Sequence, residues 1–268
     1  MTYPHANPLK ERVAAGEAAC GIYVQMDSVD AVEIAAAAGL DYVILDEEHG
    51  APSGARTTAL IRAAQACGIV PIVRVADQDR TALRRAVEAG AAGIYVPDVR
   101  SADQARQAVA AVKFGHRTAG AGRGACPSVR AARHGAVPWP DYTAWNDRYV
   151  QLTVLIESRE GLRALDEILA VPGVDAVALG RFDLAHELGL NGDRYGAAME
   201  AVFAQFLAQV SAAGMPWFAR VAPGPQEHMR EAYARLRRQG ACMFTLGSDR
   251  ELLLKSFRGA LAPMQPSA

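Results

Sequence analysis

Eight short apolar runs, each followed by a helical pattern, constrain this chain more than any other feature. The runs are Cys20–Met26, Asp41–Leu45, Ile69–Val75, Ala92–Val96, Gln151–Ile156, Val174–Leu179, Trp217–Val221 and Ala241–Leu246. Each has strand length, and most are rich in β-branched or aromatic residues. The segments between them carry helical apolar spacing. Ser28, Ser101 and Ser248 stand where helices would be capped, and Gly39 where one would stop. Strand alternating with helix through a chain of 268 residues predicts an α/β protein, a (β/α)₈ barrel. The alternative is a doubly wound open sheet. It is weakened because no G-x-G-x-x-G opens a first helix.

The most informative part of the alternation is Val150–Leu190. The run Gln151–Ile156 ends at Glu157, and Ser158 opens a helical pattern that stops at Pro172-Gly173. The run Val174–Leu179 then ends at Gly180, with Asp183 three residues on. Parallel strands joined by a crossover helix bring their carboxyl ends to one rim, so Glu157 and Asp183 are expected to converge. Two hard oxygen donors with open positions suit Mg²⁺ or Mn²⁺. Taken singly, Glu157 could be a charge at a helix start and Asp183 a helix cap.

Composition excludes several classes. Formal net charge is −1 and gives no electrostatic case for nucleic acid or an acidic membrane surface. Hydrophobic residues reach 51%, which argues for a packed core and against disorder. No run approaches a membrane span, and residues 1–16 contain no apolar core of signal-peptide length. Cys20, Cys67, Cys126 and Cys242 are scattered without a C-x-x-C, as expected of thiols in a reducing compartment. A cytoplasmic protein is therefore expected. It would comprise an N-terminal arm (1–19), one barrel domain (20–261) and a short tail (262–268). Only Lys10, Lys113 and Lys255 are lysines. None stands at a strand end, where a Schiff-base lysine would be needed. The segment Phe114–Pro140, rich in Gly and Arg, is too long for an ordinary connection and is expected to be a functional loop or a short helical insert.

The polar residues at predicted strand ends are Asp46, His49, Arg74, Glu157 and Asp183. His49 could act as a general base with Asp46 orienting its ring, or be a surface histidine in an acidic turn. Arg74 interrupts the apolar run IVPIVRV and needs an anionic partner. That partner is either a substrate oxyanion or Asp46 or Glu48. Glu88 could be a helix-end charge or reach a neighbouring site. His186 is expected to be solvated, and Trp139 and Trp145 to serve packing. A metal, an arginine and a histidine base together suit enolate chemistry on a 2-oxo acid.

The same residues carry a resemblance. LDEEHG (Leu45–Gly50), PIVRV (Pro71–Val75), YVPDVRSADQA (Tyr95–Ala105), LIESREGL (Leu155–Leu162) and GVDAVALGRFDLAHELGL (Gly173–Leu190) resemble the HpcH/HpaI aldolase family, in order from about Cys20 to Ala260. The resemblance implies a (β/α)₈ barrel of the phosphoenolpyruvate/pyruvate superfamily type and a Mg²⁺, Mn²⁺ or Co²⁺ cofactor. It also implies a homo-oligomer, a hexamer or trimer, with an exchanged C-terminal helix. By motif, Glu157 and Asp183 resemble the metal ligands and Arg74 the enolate-stabilising arginine. His49 with Asp46 resembles the base dyad, and Glu88 an acidic residue near the neighbouring subunit's site. Gly180, Phe182 and Asp183 would bind the 2-oxo acid, with backbone N–H groups around Phe182 and Asp183 on its carboxylate. The implied reaction is reversible cleavage of a 4-hydroxy-2-oxo acid to pyruvate and an aldehyde. Two positions depart from the family pattern. Leu155 stands where Gln is common, and Gly180-Arg181-Phe182-Asp183-Leu184 replaces G-P-x-D-L. The alternatives are a citryl-CoA-lyase-like enzyme, with Arg117, Arg123 and Arg130 as a CoA-binding surface, and a non-catalytic barrel.

Overall fold

The computed structural model describes residues 6–115 and 122–264. Eight parallel strands close on themselves in sequence order. They are β1 (Ala19–Val24), β2 (Tyr42–Asp46), β3 (Val70–Arg74), β4 (Gly93–Val96), β5 (Gln151–Ile156), β6 (Ala176–Leu179), β7 (Trp217–Arg220) and β8 (Met243–Ser248). β1 pairs with both β2 and β8, so the sheet has no edge. This is the (β/α)₈ barrel that the alternation predicts. The helices are α1 (Pro8–Ala14), α2 (Val29–Ala37), α3 (Ala55–Ala66), α4 (Arg80–Ala89), α5 (Ala102–Val112), α6 (Trp139–Tyr149), α7 (Arg159–Arg163), α8 (Leu165–Leu169), α9 (Arg181–Glu187), α10 (Ala197–Ala212), α11 (Gln226–Arg238) and α12 (Asp249–Leu261). Ser28, Ser101, Ser158 and Ser248 each accept the N–H three residues on and so start α2, α5, α7 and α12. Among the described residues no helix is long and apolar enough to cross a membrane.

Two details differ from the sequence reading. The helix after Ser158 is broken into α7 and α8 at Ala164, whose ψ of 7° departs from helical values. Residues 8–14, read as part of a polar arm, form α1. Asn7 caps it, and Leu9 is buried against Tyr42, Val70 and Met243 at the amino-terminal end of the barrel. Asp175, just before β6, fastens that end. Its carboxylate accepts from Lys10 Nζ (2.8 Å), Lys113 Nζ (2.6 Å) and the Leu152 N–H (2.8 Å).

Strand alternation places the site. Tyr42, Ile44, Val70, Ile72, Tyr95, Leu155, Ala178, Phe218 and Met243 fill the barrel interior. Their sequence neighbours Val43, Leu45, Val73, Ile94, Val154, Ile156, Val177 and Ala219 face the helices. Continuing the inward set by two residues at each carboxyl end gives Asp46, Arg74, Glu157, Gly180 and Arg220. The upper layer of the barrel therefore carries charged groups, whereas the layers below hold apolar side chains with the neutral Gln151, Thr153 and Thr245 hydrogen-bonded among them.

The described part of the Phe114–Pro140 segment is held by its own small core. Phe114, Trp139 and Tyr142 pack together, and the buried Arg123 guanidinium lies 4.2 Å from the Phe114 ring centroid. Arg123 donates to Val112 O (3.0 Å), the Tyr142 hydroxyl (2.5 Å) and Asn146.

Candidate active site

β2 and β3 pair with Asp46 beside Arg74, which places both side chains on the inward face. Arg74 Nε and Nη2 donate to the two Asp46 oxygens at 2.9 and 2.6 Å, and Nη1 lies 2.9 Å from Glu48 Oε2. The Arg74 guanidinium carbon sits 4.8 Å from the Tyr23 ring centroid. Burial would weaken this cation and raise the Asp46 carboxyl, but the pairing outweighs burial for both. The Asp46 pKa is lowered and that of Arg74 is raised. Glu48 Oε2 forms an ion pair but no hydrogen bond, so of the five guanidinium N–H groups the two bonds to Asp46 leave three, two on Nη1 and one on Nη2. Arg74 lines a cavity of about 990 Å³ at the carboxyl ends of the strands.

Glu157 follows β5 into the same cavity and is buried. Its Oε1 accepts the Asp98 N–H at 2.8 Å. Asp98 has a left-handed φ of 48°. Gln78 Nε2 holds this bend by donating to both Pro97 O (2.9 Å) and Asp98 O (2.6 Å). A Cβ on Gly180 would collide with Glu157 Oε2 and Cβ, so only glycine lets the β6 end approach this carboxylate. Burial pushes the Glu157 pKa up to about 8, aided by the negative charges of Glu48 and Asp183. Asp183 lies in the first turn of α9, exposed and lining the cavity.

The His49 ring also lines the cavity, with its side chain 55% exposed. The expected contact between Asp46 and the His49 ring is absent. Asp46 points inward, and its oxygens are occupied by Arg74, Gln25 Nε2 (2.9 Å) and the backbone N–H groups of Glu48 and His49. The nearer carboxylate is Glu48, whose Oε2 lies 3.9 Å from His49 Nε2. Gly180 and Phe182 line the cavity with Asp183. Glu88 does not. It ion-pairs with Arg84 at 3.1 Å and faces a separate cavity of about 420 Å³ beside α3 and α4. His186 is exposed, and Trp139 and Trp145 pack in the Phe114 cluster. Sequence reasoning named Glu48 as a partner of Arg74, as observed, but missed Gln25, Gln78 and Arg220. Counting by two along the strands from buried residues would have found Gln25 and Arg220.

A family model described as HpcH/HpaI aldolase/citrate lyase matches residues 19–256. The chain belongs to this family. A hydroxypyruvate/pyruvate aldolase of Paraburkholderia phytofirmans is 32% identical over 95% of this chain and 96% of its own. The crystal structure of an HpcH/HpaI aldolase/citrate lyase family protein from Burkholderia cenocepacia superposes with a TM-score of 0.86. It is 30% identical, covering 96% of this chain and 99% of that one. The citrate synthase SbnG superposes at 0.83 with 27% identity, over 96% of each chain.

Membership in the HpcH/HpaI family raises the question of a cation, and the donor set fits one. Glu157 and Asp183 offer hard oxygens at adjacent strand ends. Gly180 leaves room beside Glu157 Oε2, and the mutual repulsion of Glu157, Glu48 and Asp183 is relieved by a positive ion. Among the described residues no group of three or more His, Cys, Asp or Glu side chains could hold a metal. A two-carboxylate site open to substrate oxygens remains. No lysine lines the cavity. Lys10 and Lys113 sit on Asp175, and Lys255 donates to Pro223 O at 2.6 Å.

Proposed function

We propose that the protein is a divalent-metal-dependent aldolase. It would reversibly cleave a 4-hydroxy-2-oxo acid to pyruvate, or a related 2-oxo acid, and an aldehyde. One observation carries this reading: a lysine-free cavity combines two hard carboxylates with an arginine that keeps spare donors. Glu157 and Asp183 would hold the cation. A bound Mg²⁺, Mn²⁺ or Co²⁺ supplies Lewis-acid polarisation of the 2-oxo acid. The backbone N–H groups around Phe182 and Asp183 take the substrate carboxylate. In cleavage, His49 accepts the proton of the 4-hydroxyl, directly or through water, as the C3–C4 bond breaks. The electron pair of that bond becomes an enolate, and the free N–H groups of Arg74 stabilise its oxygen. The proton taken up by His49 then returns to C3, directly or through water, and completes pyruvate. Asp46 fixes the plane of the Arg74 guanidinium, and Gln78 fixes Glu157 through Asp98.

The active unit is a homo-oligomer in the cytoplasm. α12 exposes Leu253, Leu254, Phe257 and Leu261, a stripe that a second copy would cover. The loop arginines lend little to the citryl-CoA-lyase-like alternative. Arg123 is buried, and Arg130 spends its donors on Ala89 O and Gln65. Arg117 lies outside the described residues.

The test is exchange of the pyruvate methyl protons in D₂O, followed by NMR. Exchange is expected with Mn²⁺, Mg²⁺ or Co²⁺ and not after chelation. Borohydride with pyruvate should leave the protein mass unchanged. Exchange that persists without metal, or a covalent pyruvyl-lysine adduct, would overturn the proposal.

A further inference from the structure

The groups assigned to enolate chemistry lie at the ends of β2, β3, β5 and β6. The β7–β8 side of the same cavity carries a different set. Arg220 ends β7, two residues after the inward-facing Phe218, and lines the cavity with Arg74, Glu157 and Asp183. Its Nη2 donates to Glu251 Oε2 at 2.5 Å, while Nη1 is buried and has no acceptor. Glu251 comes from the first turn of α12. A Cβ on Gly247, at the end of β8, would lie 2.8 Å from the same Glu251 oxygen. The loops after strands seven and eight are where barrels commonly hold a ligand's phosphate. Here a carboxylate of the chain itself stands in that sector.

Further cationic groups surround this pair. Arg181, Arg194, Arg235 and His228 also line the cavity. Glu200 answers Arg181 at 3.0 Å and Arg235 at 3.8 Å. Among the described residues Arg194 has no carboxylate within ion-pair distance; its guanidinium lies over the Phe182 and Tyr195 rings at 5.8 and 5.4 Å. Binding pyruvate and stabilising its enolate calls on none of these arginines. A neutral aldehyde would leave them unused and would leave Arg220 Nη1 without an acceptor, whereas an anionic one uses both features.

We propose that Arg220 and Glu251 form an anion subsite for the aldehyde half of the substrate, so that the physiological aldehyde carries a carboxylate or a phosphate. Glu251 is the internal counter-ion that the ligand's anion displaces from the guanidinium. This inference rests on the aldolase reading above.

The experiment measures kcat/KM for aldol addition of pyruvate to matched aldehydes with Mn²⁺ present. The carboxylate pair is 4-oxobutanoate against butanal, and the phosphate pair is glyceraldehyde 3-phosphate against glyceraldehyde. The wild-type protein should favour the charged member of at least one pair by roughly tenfold to a hundredfold, the value of a charge-assisted hydrogen bond. The favoured pair names the anion. Arg220→Gln should erase most of that preference, and Glu251→Gln should lower KM for the charged aldehyde by removing the internal competitor. Equal losses for both members of each pair in Arg220→Gln, or no preference in the wild type, would overturn the subsite. If Arg220→Gln does not fold, an unchanged charged-to-neutral ratio in Glu251→Gln has the same force. Wild-type proton exchange separates the two failures. Its absence sinks the aldolase reading, while its presence without charge preference sinks the anion subsite alone.

Discussion

Asp46 shows how much of the site depends on one fully buried carboxylate. It accepts from Arg74, from Gln25 and from two backbone N–H groups, and these hold its pKa below the ordinary 3.8. A carboxyl depressed in the folded state stabilises the fold fully above pH 3.8. That contribution disappears as pH falls through the depressed value. Asp46→Asn should cost about 3–5 kcal/mol at pH 7, the cost of breaking a buried pair. Urea midpoints for wild type and variant should draw together below pH 3.8, and a gap that persists unchanged into strong acid would contradict the assignment. The strand-end rule made Asp46, Arg74, Glu157 and Asp183 legible in the sequence. It could not show that Asp46 turns away from His49, because that depends on the pleat. Asp46 continues the inward set of Ile44, while His49 has already left the strand. Gln78 was illegible for another reason: its targets are backbone carbonyls of a distant loop, and nothing in its local sequence marks them.

Among the elements, α1 departs most from what the sequence suggests. A helix of seven residues with a single buried side chain gives no readable period, so its role shows only in the closed barrel. Leu9 contributes apolar contact at the amino-terminal end, and Asn7 Nδ2 donates to Ala92 O and Tyr149 O at 2.9 Å each. Leu9→Ala should destabilise the protein by about 2–5 kcal/mol, as for other buried leucines. Turnover measured well below the melting temperature should stay within a factor of two. A large loss of kcat with unchanged thermal stability would place α1 in the chemistry instead. By contrast, the eight strands were legible to within about two residues at each end, because β-branched runs bounded by caps have few other ways to fold.

For the whole molecule, α12 is the element least satisfied by its own chain. Leu254, Phe257 and Leu261 are 51%, 63% and 52% exposed. Replacing Leu254 and Phe257 together by Glu should reduce the mass seen by light scattering towards the 28.5 kDa of one chain. An unchanged assembly would show that α12 is not the contact. The Asp175 fastening at the opposite pole bears on how such an enzyme can change over generations. One carboxylate there ties Lys10, Lys113 and Leu152, none of which lines the cavity. The barrel is thus fastened at the pole away from the cavity. The residues lining the cavity can drift and diverge while that fastening stays in place. A lineage built on this plan can acquire new substrates without having to solve folding again.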